Sequence, residues 1–507
     1  MKIHTRSHLL FLFVCMGTAL SCNTGLTGGD GENLPPKTYL LTDRIQRFGD
    51  DRFPSQVSIS WWADDPDGFV VGYEWSFGDT LTYPWKKTSR TDSLFLLPMG
   101  SNRDSADVIF RVRAIDNRLK KDPVGASLAF PIRNSAPVIR FVSTDLPADT
   151  MYQFFSFGFS VSDIDGLENI EKVEFSVNSR SGPWNLLDKT TSFISFNVQN
   201  TGSAQLLLGS NLTVDARTIN GFQLNASNRF YLRATDRTGA ESALDSASWY
   251  IKQQTSQVLV LNDLIGPNRY SRMQTHLELL KALGITSVDL MDITDGNSAG
   301  GFKVPRSAAF PKRTAPTLAE MTAKWKYVYW ISDDIDRNIT YASEMLVRFF
   351  QRGGKLFVSM PVKAISATDP ILPYLSIARI MPLPSGATGF RIPPQSGTTN
   401  LGITAVAPFT GPTMSTSSSL QSILPLNPII GATTLYKADF KNTRLGQVLP
   451  VEYPSPSLTD FDETVCIKNP DGNIILFGMD LLTINRDNNL QQLLQRLVID
   501  ELGFRHN

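Results

Sequence analysis

From about Leu34 to Lys252, apolar and polar positions alternate in short runs broken by Asp, Gly, Pro and Asn. Val57-Ser58-Ile59-Ser60-Trp61 alternates strictly, Val70 to Phe77 less so, and Val108 to Ala114 again. Period-two runs between turn residues predict strands with one face on a core and the other in solvent. Their spacing is that of β-sandwiches. The pattern changes after Gln257. Val258-Leu259-Val260-Leu261 is continuously apolar, as expected of a strand buried on both faces. Met273, Leu277 and Leu280 share a face, which predicts a helix over 273–283 ended by Gly284. Further strands are predicted at 288–292, 327–332, 355–360 and 473–478, and further helices at 343–352 and 490–502. Strands alternating with helices predict a doubly wound, mostly parallel α/β sheet. Between Lys363 and Pro454, Pro, Gly, Ser and Thr dominate, and the expectation there is a long insertion with a few irregular strands.

The sandwich pattern occurs twice. Asp64-Asp65-Pro66-Asp67-Gly68 leads into the Tyr73-Glu74-Trp75 strand, and Phe110 to Asn117 follows later. Asp163-Ile164-Asp165-Gly166 leads into Lys172 to Val177, and Phe230 to Gly239 follows. Asn134-Ser135-Ala136-Pro137 reads as the junction. These two stretches resemble the fibronectin type III and PKD-type Ig-like repeats of bacterial surface proteins, and Phe77-Gly78-Asp79 is similar to part of the PKD repeat. Arg348 to Val358, with Gly353-Gly354-Lys355 between helix and strand, resembles the class I glutamine amidotransferase-like fold. The fold expected is therefore multidomain: two all-β Ig-like sandwiches followed by a doubly wound α/β domain, flavodoxin- or glutamine amidotransferase-like. The boundaries read as 36–135, 136–253 and 254–507, with the insertion at about 363–454.

The first residues carry a different signal. Lys2 and Arg6 precede the apolar run Leu9 to Met16, then small residues, then Cys22. That layout is a secretory signal peptide over 1–21. Ala19-Leu20-Ser21-Cys22 resembles the lipobox of bacterial lipoproteins, with Ala19 where Leu is usual. The resemblance implies cleavage before Cys22 and lipidation of its thiol. The Gly-rich stretch over 22–35 then reads as a flexible tether. The expected location is the bacterial cell envelope, lipid-anchored at the outer membrane on its periplasmic or surface face.

Charge and cysteine count narrow the chemistry. Lys+Arg and Asp+Glu are both 48 in 507 residues, so a net charge of zero argues against nucleic acid as a partner. The cysteines are Cys15, Cys22 and Cys466; with the first removed and the second lipidated, Cys466 has no disulfide partner. The amidotransferase resemblance implies a Cys nucleophile with a His base. Met360-Pro361 stands where the nucleophile belongs, and His276 and His506 are the only histidines beyond the signal. The resemblance thus supports the fold and argues against the chemistry.

Carboxylates gather at the predicted strand ends: Asp263, Asp292, Asp333 with Asp334 and Asp336, and Asp480. Ligands of open α/β sheets bind at such ends. Paired carboxylates there could do acid/base work on a sugar, and Asp is equally at home as a helix cap. Gly296-Asn297-Ser298-Ala299-Gly300 fits G-x-S-x-G, with Ser298 as a nucleophile or a plain loop residue. Asp64, Asp65 and Asp67, and Asp163 with Asp165, offer either calcium ligands or tight turns. Calcium is the one cofactor they suggest. Trp61, Trp62, Trp75, Trp85 and Trp184 either stack on sugars or pack sandwich cores. The leading reading is a membrane-anchored, non-catalytic binding or scaffolding lipoprotein with a protein or glycan partner. The alternative is a carbohydrate-active hydrolase, which requires Asp263, Asp333 or Asp334, and Asp480 to converge.

Overall fold

The computed structural model describes residues 32–42, 52–100, 103–147, 150–292, 315–333, 345–362, 371–394, 402–450 and 463–505. Cys22, Ser298, Asp334, Asp336 and His506 lie outside the described residues. The chain divides into two compact units, Met1–Asn134 and Ser135–Asn507.

The first unit is a β-sandwich. Lys37–Thr42, Gln56–Asp64 and Asp92–Leu96 form one sheet; Lys86–Thr88, Val70–Phe77, Ser105–Asp116 and Ala126–Arg133 form the other. The alternation works as predicted. Val57, Ile59 and Trp61 point inward and are at most 2% exposed, against Phe95, Phe110 and Val112. Every strand pair in both sheets is antiparallel.

The second unit opens with another sandwich of two five-stranded sheets. Its core is aromatic: Phe155, Phe157, Phe196, Phe230 and Trp249 interlock, with Phe230 stacked on Trp249 at 4.3 Å. The duplication read from the sequence holds at the level of register. Glu74 stands opposite Arg113 on neighbouring strands of one sheet in the first sandwich, and Glu174 opposite Arg233 in the matching sheet of the second. Both pairs are ion pairs at 2.8 Å. The chain thus carries tandem Ig-like sandwiches.

The remainder is built on a mixed sheet. Asp289–Asp292, Val258–Asp263, Tyr327–Ser332, Lys355–Ser359 and Ile474–Phe477 run parallel in that order. Beyond Ile474–Phe477 the sheet turns antiparallel through Thr464–Lys468, and among the described residues the helices are few. The strands added there include Leu426–Pro428 and Thr433–Ala438, both from the stretch expected to be irregular. The same stretch builds a separate four-stranded antiparallel sheet from Leu420–Gln421, Ala387–Ile392, Lys441–Arg444 and Gln447–Pro450. Its strands are two to six residues long, too short for a periodic signal. The terminal helix also differs. It is α-helical over Leu490–Leu494 and then widens into a π-helix over Gln495–Glu501.

Two glycines are required by geometry. Gly284 closes the Arg269–Ala282 helix at φ +87°, where a side chain would be strained. At Gly354 an added Cβ would lie 2.5 Å from the Phe349 ring, so the step from helix to strand admits only glycine.

The second sandwich and the parallel sheet share one apolar cluster. It runs from Phe155 and Trp249 to Leu318, Met321, Trp325 and Phe349. At the joint, Trp325 packs edge-on against Tyr152 at 4.7 Å and donates its indole N–H to Asp289 at 2.8 Å. Asp289 also accepts from the Thr255 hydroxyl at 2.8 Å and from backbone N–H groups of Thr255 and Ser256 at 3.1 Å. The Tyr152 hydroxyl lies 3.0 Å from both the N–H and the C=O of Leu290. A joint with its apolar surface covered and its polar groups paired behaves as part of a core.

Candidate functional site at the strand ends

Val258–Asp263 is followed in the chain by Asp289–Asp292 on one flank and by Tyr327–Ser332 on the other. The chain therefore diverges between Val258–Asp263 and Tyr327–Ser332, and the C-terminal ends of strands at such a divergence are where open sheets hold ligands. Asn262 and Asp263 end one strand, Ser332 and Asp333 the other. All but Asp333 are at most 2% exposed.

The sequence-predicted carboxylates are brought together here by a residue that sequence reasoning missed. Arg272, in the first turn of Arg269–Ala282, donates one guanidinium nitrogen to Asp333 and another to Asp480 at 2.7 Å. Asp333 also accepts the Ile265 N–H at 2.6 Å. Asp480 caps the short helix Leu481–Ile484, accepting the Leu482 N–H at 3.0 Å. The helix cap expected of Asp480 is thus present on one carboxylate oxygen, and the other oxygen accepts from Arg272. Burial opposes the Arg272 charge, but Asp480 and Asp333 outweigh it and hold the guanidinium more firmly protonated than usual. Asp263 is fully buried and accepts the Ser332 hydroxyl at 3.0 Å. The Asn262 side-chain NH₂ is buried at the same strand end without a hydrogen-bond partner.

His276 lies one helical turn beyond Arg272, on the same face. Its Nδ1 is 2.9 Å from the Tyr329 hydroxyl. Burial, and secondarily the Arg272 charge, push the imidazole down to about 3. It is neutral at pH 7 and holds a structural hydrogen bond. Cys466 lies within Thr464–Lys468 with no exposure, and burial raises its thiol well above the usual range. A thiol that cannot ionise is not a nucleophile.

The acidic loops are built alike in the two sandwiches. Leu34 N–H donates to Asp67 at 3.1 Å, and Ser135 N–H to Asp165 at 2.7 Å. Asp116 accepts the N–H groups of Arg118 and Lys120, both at 2.8 Å, and Asp236 those of Thr238 and Ala240 at 2.9 and 2.8 Å. These are turn bonds. Burial, with Asp165 and Asp236 nearby, raises Asp163 to about 6. Burial and the charges of Asp67 and Asp116 likewise raise Asp65. Asp64 is exposed at the end of its strand. Among the described residues no group of three or more acidic, His or Cys side chains is arranged to hold a metal.

The tryptophans divide. Trp61 is core, and Trp75 packs edge-on to Phe95 at 4.7 Å. Trp85 and Trp184 lie under the guanidinium groups of Arg113 and Arg233, at 4.2 and 4.3 Å, another feature of the duplication. Trp62 is 45% exposed.

No protein-family model matches the chain, and no curated protein matches it. It is similar to solved structures of small β-modules. The fibronectin(III)-like modules of Clostridium thermocellum CbhA are 14% identical, covering 42% of this chain and 95% of that one, with a TM-score of 0.17. The PKD1 domain of Vibrio anguillarum Epp is 16% identical, covering 20% and 98%, with a TM-score of 0.15. A two-domain fibronectin type III segment of chicken tenascin is 10% identical, covering 42% and 98%, with a TM-score of 0.18. The tandem sandwiches rest on their own sheets and registers.

Proposed function

We propose that this chain is an exported lipoprotein of the bacterial cell envelope, anchored through Cys22, that works as a non-catalytic binding or scaffolding protein. The observation that carries the non-catalytic part is Arg272 holding Asp333 and Asp480 together. Glycoside hydrolysis needs one carboxyl protonated as the acid and a second free as base or nucleophile. Here two of the three carboxylates are ion-paired and the third, Asp263, accepts from Ser332. The parallel run of strands and the Gly353-Gly354-Lys355 step support a C-terminal domain on an amidotransferase-like plan without the Cys–His chemistry. The strand ends beside Asn262 are then the place for a partner of the envelope. The anchor is supported by the lipobox resemblance and the tether after it. Among the described residues no helix is long and apolar enough to cross a membrane.

The test is fractionation of cells carrying wild type or Cys22→Ala. The variant is expected in the soluble fraction with its melting profile unchanged; continued membrane attachment defeats the anchor. Turnover of a panel of glycosides and esters by the purified protein, abolished in Asp333→Asn, favours the hydrolase alternative.

A further inference from the structure

The two sandwiches close the same gap between their sheets differently. Tyr73 and Val173 are counterparts: each precedes the glutamate of a Glu–Arg pair and stands opposite an alanine, Ala114 or Ala234. Ala63 and Val161 are counterparts too, each two residues before the first aspartate of its D-x-D-G turn. In the first copy the Tyr73 ring lies edge-on to Trp61 at 6.2 Å, and its hydroxyl hydrogen-bonds the backbone of Ala63. Tyr73 is only 6% exposed, so the ring plugs the gap from one sheet to the other.

The second copy has no such ring. Val173 is fully buried, and its short side chain carries no hydroxyl. A groove of about 600 Å³ opens instead, on a floor of Phe159, Val161 and Ile170. Phe159 and Ile170 stand where the first copy has Trp61 and Val70. Beside the groove the strand Phe154–Ser162 outruns its neighbour Phe193–Val198, which pairs with it only as far as Gly158. Phe159 N–H still reaches Ser192 C=O at 2.9 Å, as Trp61 N–H reaches Thr91 C=O at 2.7 Å in the first copy. Alternate N–H groups of a strand share a side, so the Val161 N–H faces the groove. Among the described residues it has no hydrogen-bond partner.

We infer that this groove takes a tyrosine side chain from an extended peptide of another protein. The ring supplies what Tyr73 supplies in the first copy. It rests on Phe159 and Ile170, and its hydroxyl oxygen accepts the Val161 N–H. An aliphatic side chain would fill the space and leave that N–H unmet, whereas a buried tyrosine hydroxyl and a buried N–H each need a partner. The volume exceeds one ring and falls in the range of sites that hold larger ligands, which leaves room for main chain on either side. Thr190 and Thr191 line the groove and offer hydroxyls to that main chain. The site is independent of the anchor and of the strand ends.

The probe is the capped pentapeptide GGYGG, titrated into the full-length protein and followed by saturation-transfer NMR, with GGFGG as its comparison. Saturable binding of GGYGG is expected, and about fivefold weaker binding of GGFGG, the loss that one neutral hydrogen bond accounts for. Val173→Tyr refills the gap from within and should abolish binding, with melting unchanged or raised. Leu167→Glu places a charge on an exposed residue lining the groove and should weaken binding at least about tenfold with melting unchanged, which keeps the test decisive if Val173→Tyr fails to fold. Val214→Glu, at an exposed site outside the groove, should leave binding intact. No binding to wild type, equal binding of the two peptides, or binding that survives Leu167→Glu overturns the inference.

Discussion

Arg272 carries more of the strand-end site than any residue the sequence singles out. Its side chain is 25% exposed, and those of Asp333 and Asp480 are 20% and 16% exposed. Removing the cation leaves two carboxylates facing each other with little water to screen them. Arg272→Ala is therefore expected to cost about 2–3 kcal/mol, below the full penalty for breaking a buried pair because some solvent reaches it. Urea denaturation checks this, and a loss within about 0.5 kcal/mol would make the bridge an ordinary surface contact. His276 gives a pH signature. Its folded value of about 3 lies below the unfolded value of 6.5, so the unfolded chain binds the proton more readily in between. The unfolded state therefore gains as pH falls from 6.5 towards 3, and the protein loses stability over that window. His276→Gln, which can still bond Tyr329, should flatten this part of the curve of urea midpoint against pH. Parallel curves would mean that other groups govern the acid transition.

At the scale of elements, legibility followed length and burial. Tyr327–Ser332 is a strand over the residues its apolar run predicts, and Val258–Asp263 extends its predicted run by two residues. Both are buried throughout, so the apolar run is the whole signal. A few strands were expected between 363 and 454, but their positions and pairing were not legible, because most pair with strands distant in sequence, Ala387–Ile392 with Lys441–Arg444 among them, and few of their residues alternate. The joint between second sandwich and parallel sheet was not legible either. It depends on Trp325 meeting Tyr152 and Asp289, residues whose types suggest nothing about one another. Trp325→Ala opens a cavity there and strips Asp289 of a donor, with an expected loss of about 3–5 kcal/mol. In calorimetry it should lower the transition of Ser135–Asn507 and leave that of Met1–Asn134 in place. Equal shifts in both would mean that the two units unfold as one.

Over the whole molecule, the duplication is the feature on which sequence and structure agree most closely. The D-x-D-G turns, the Glu–Arg pairs and the Trp–Arg stacks recur at matching places. By itself the sequence determined the two sandwiches, the change of grammar after Gln257 and the carboxylates at strand ends. Each of these is written in local periodicity or in a residue type that must sit at a turn. Only the tertiary structure decided that Arg272 ties Asp333 to Asp480, the latter 208 residues further along the chain than Arg272. It also decided that the C-terminal sheet turns antiparallel, and that a helix covers the outward face of the second copy of the repeat. The physical reason is the same in each case. Pairings between distant residues are set by how packed elements meet, and the local pattern along a chain records which face is apolar but not what will lie against it.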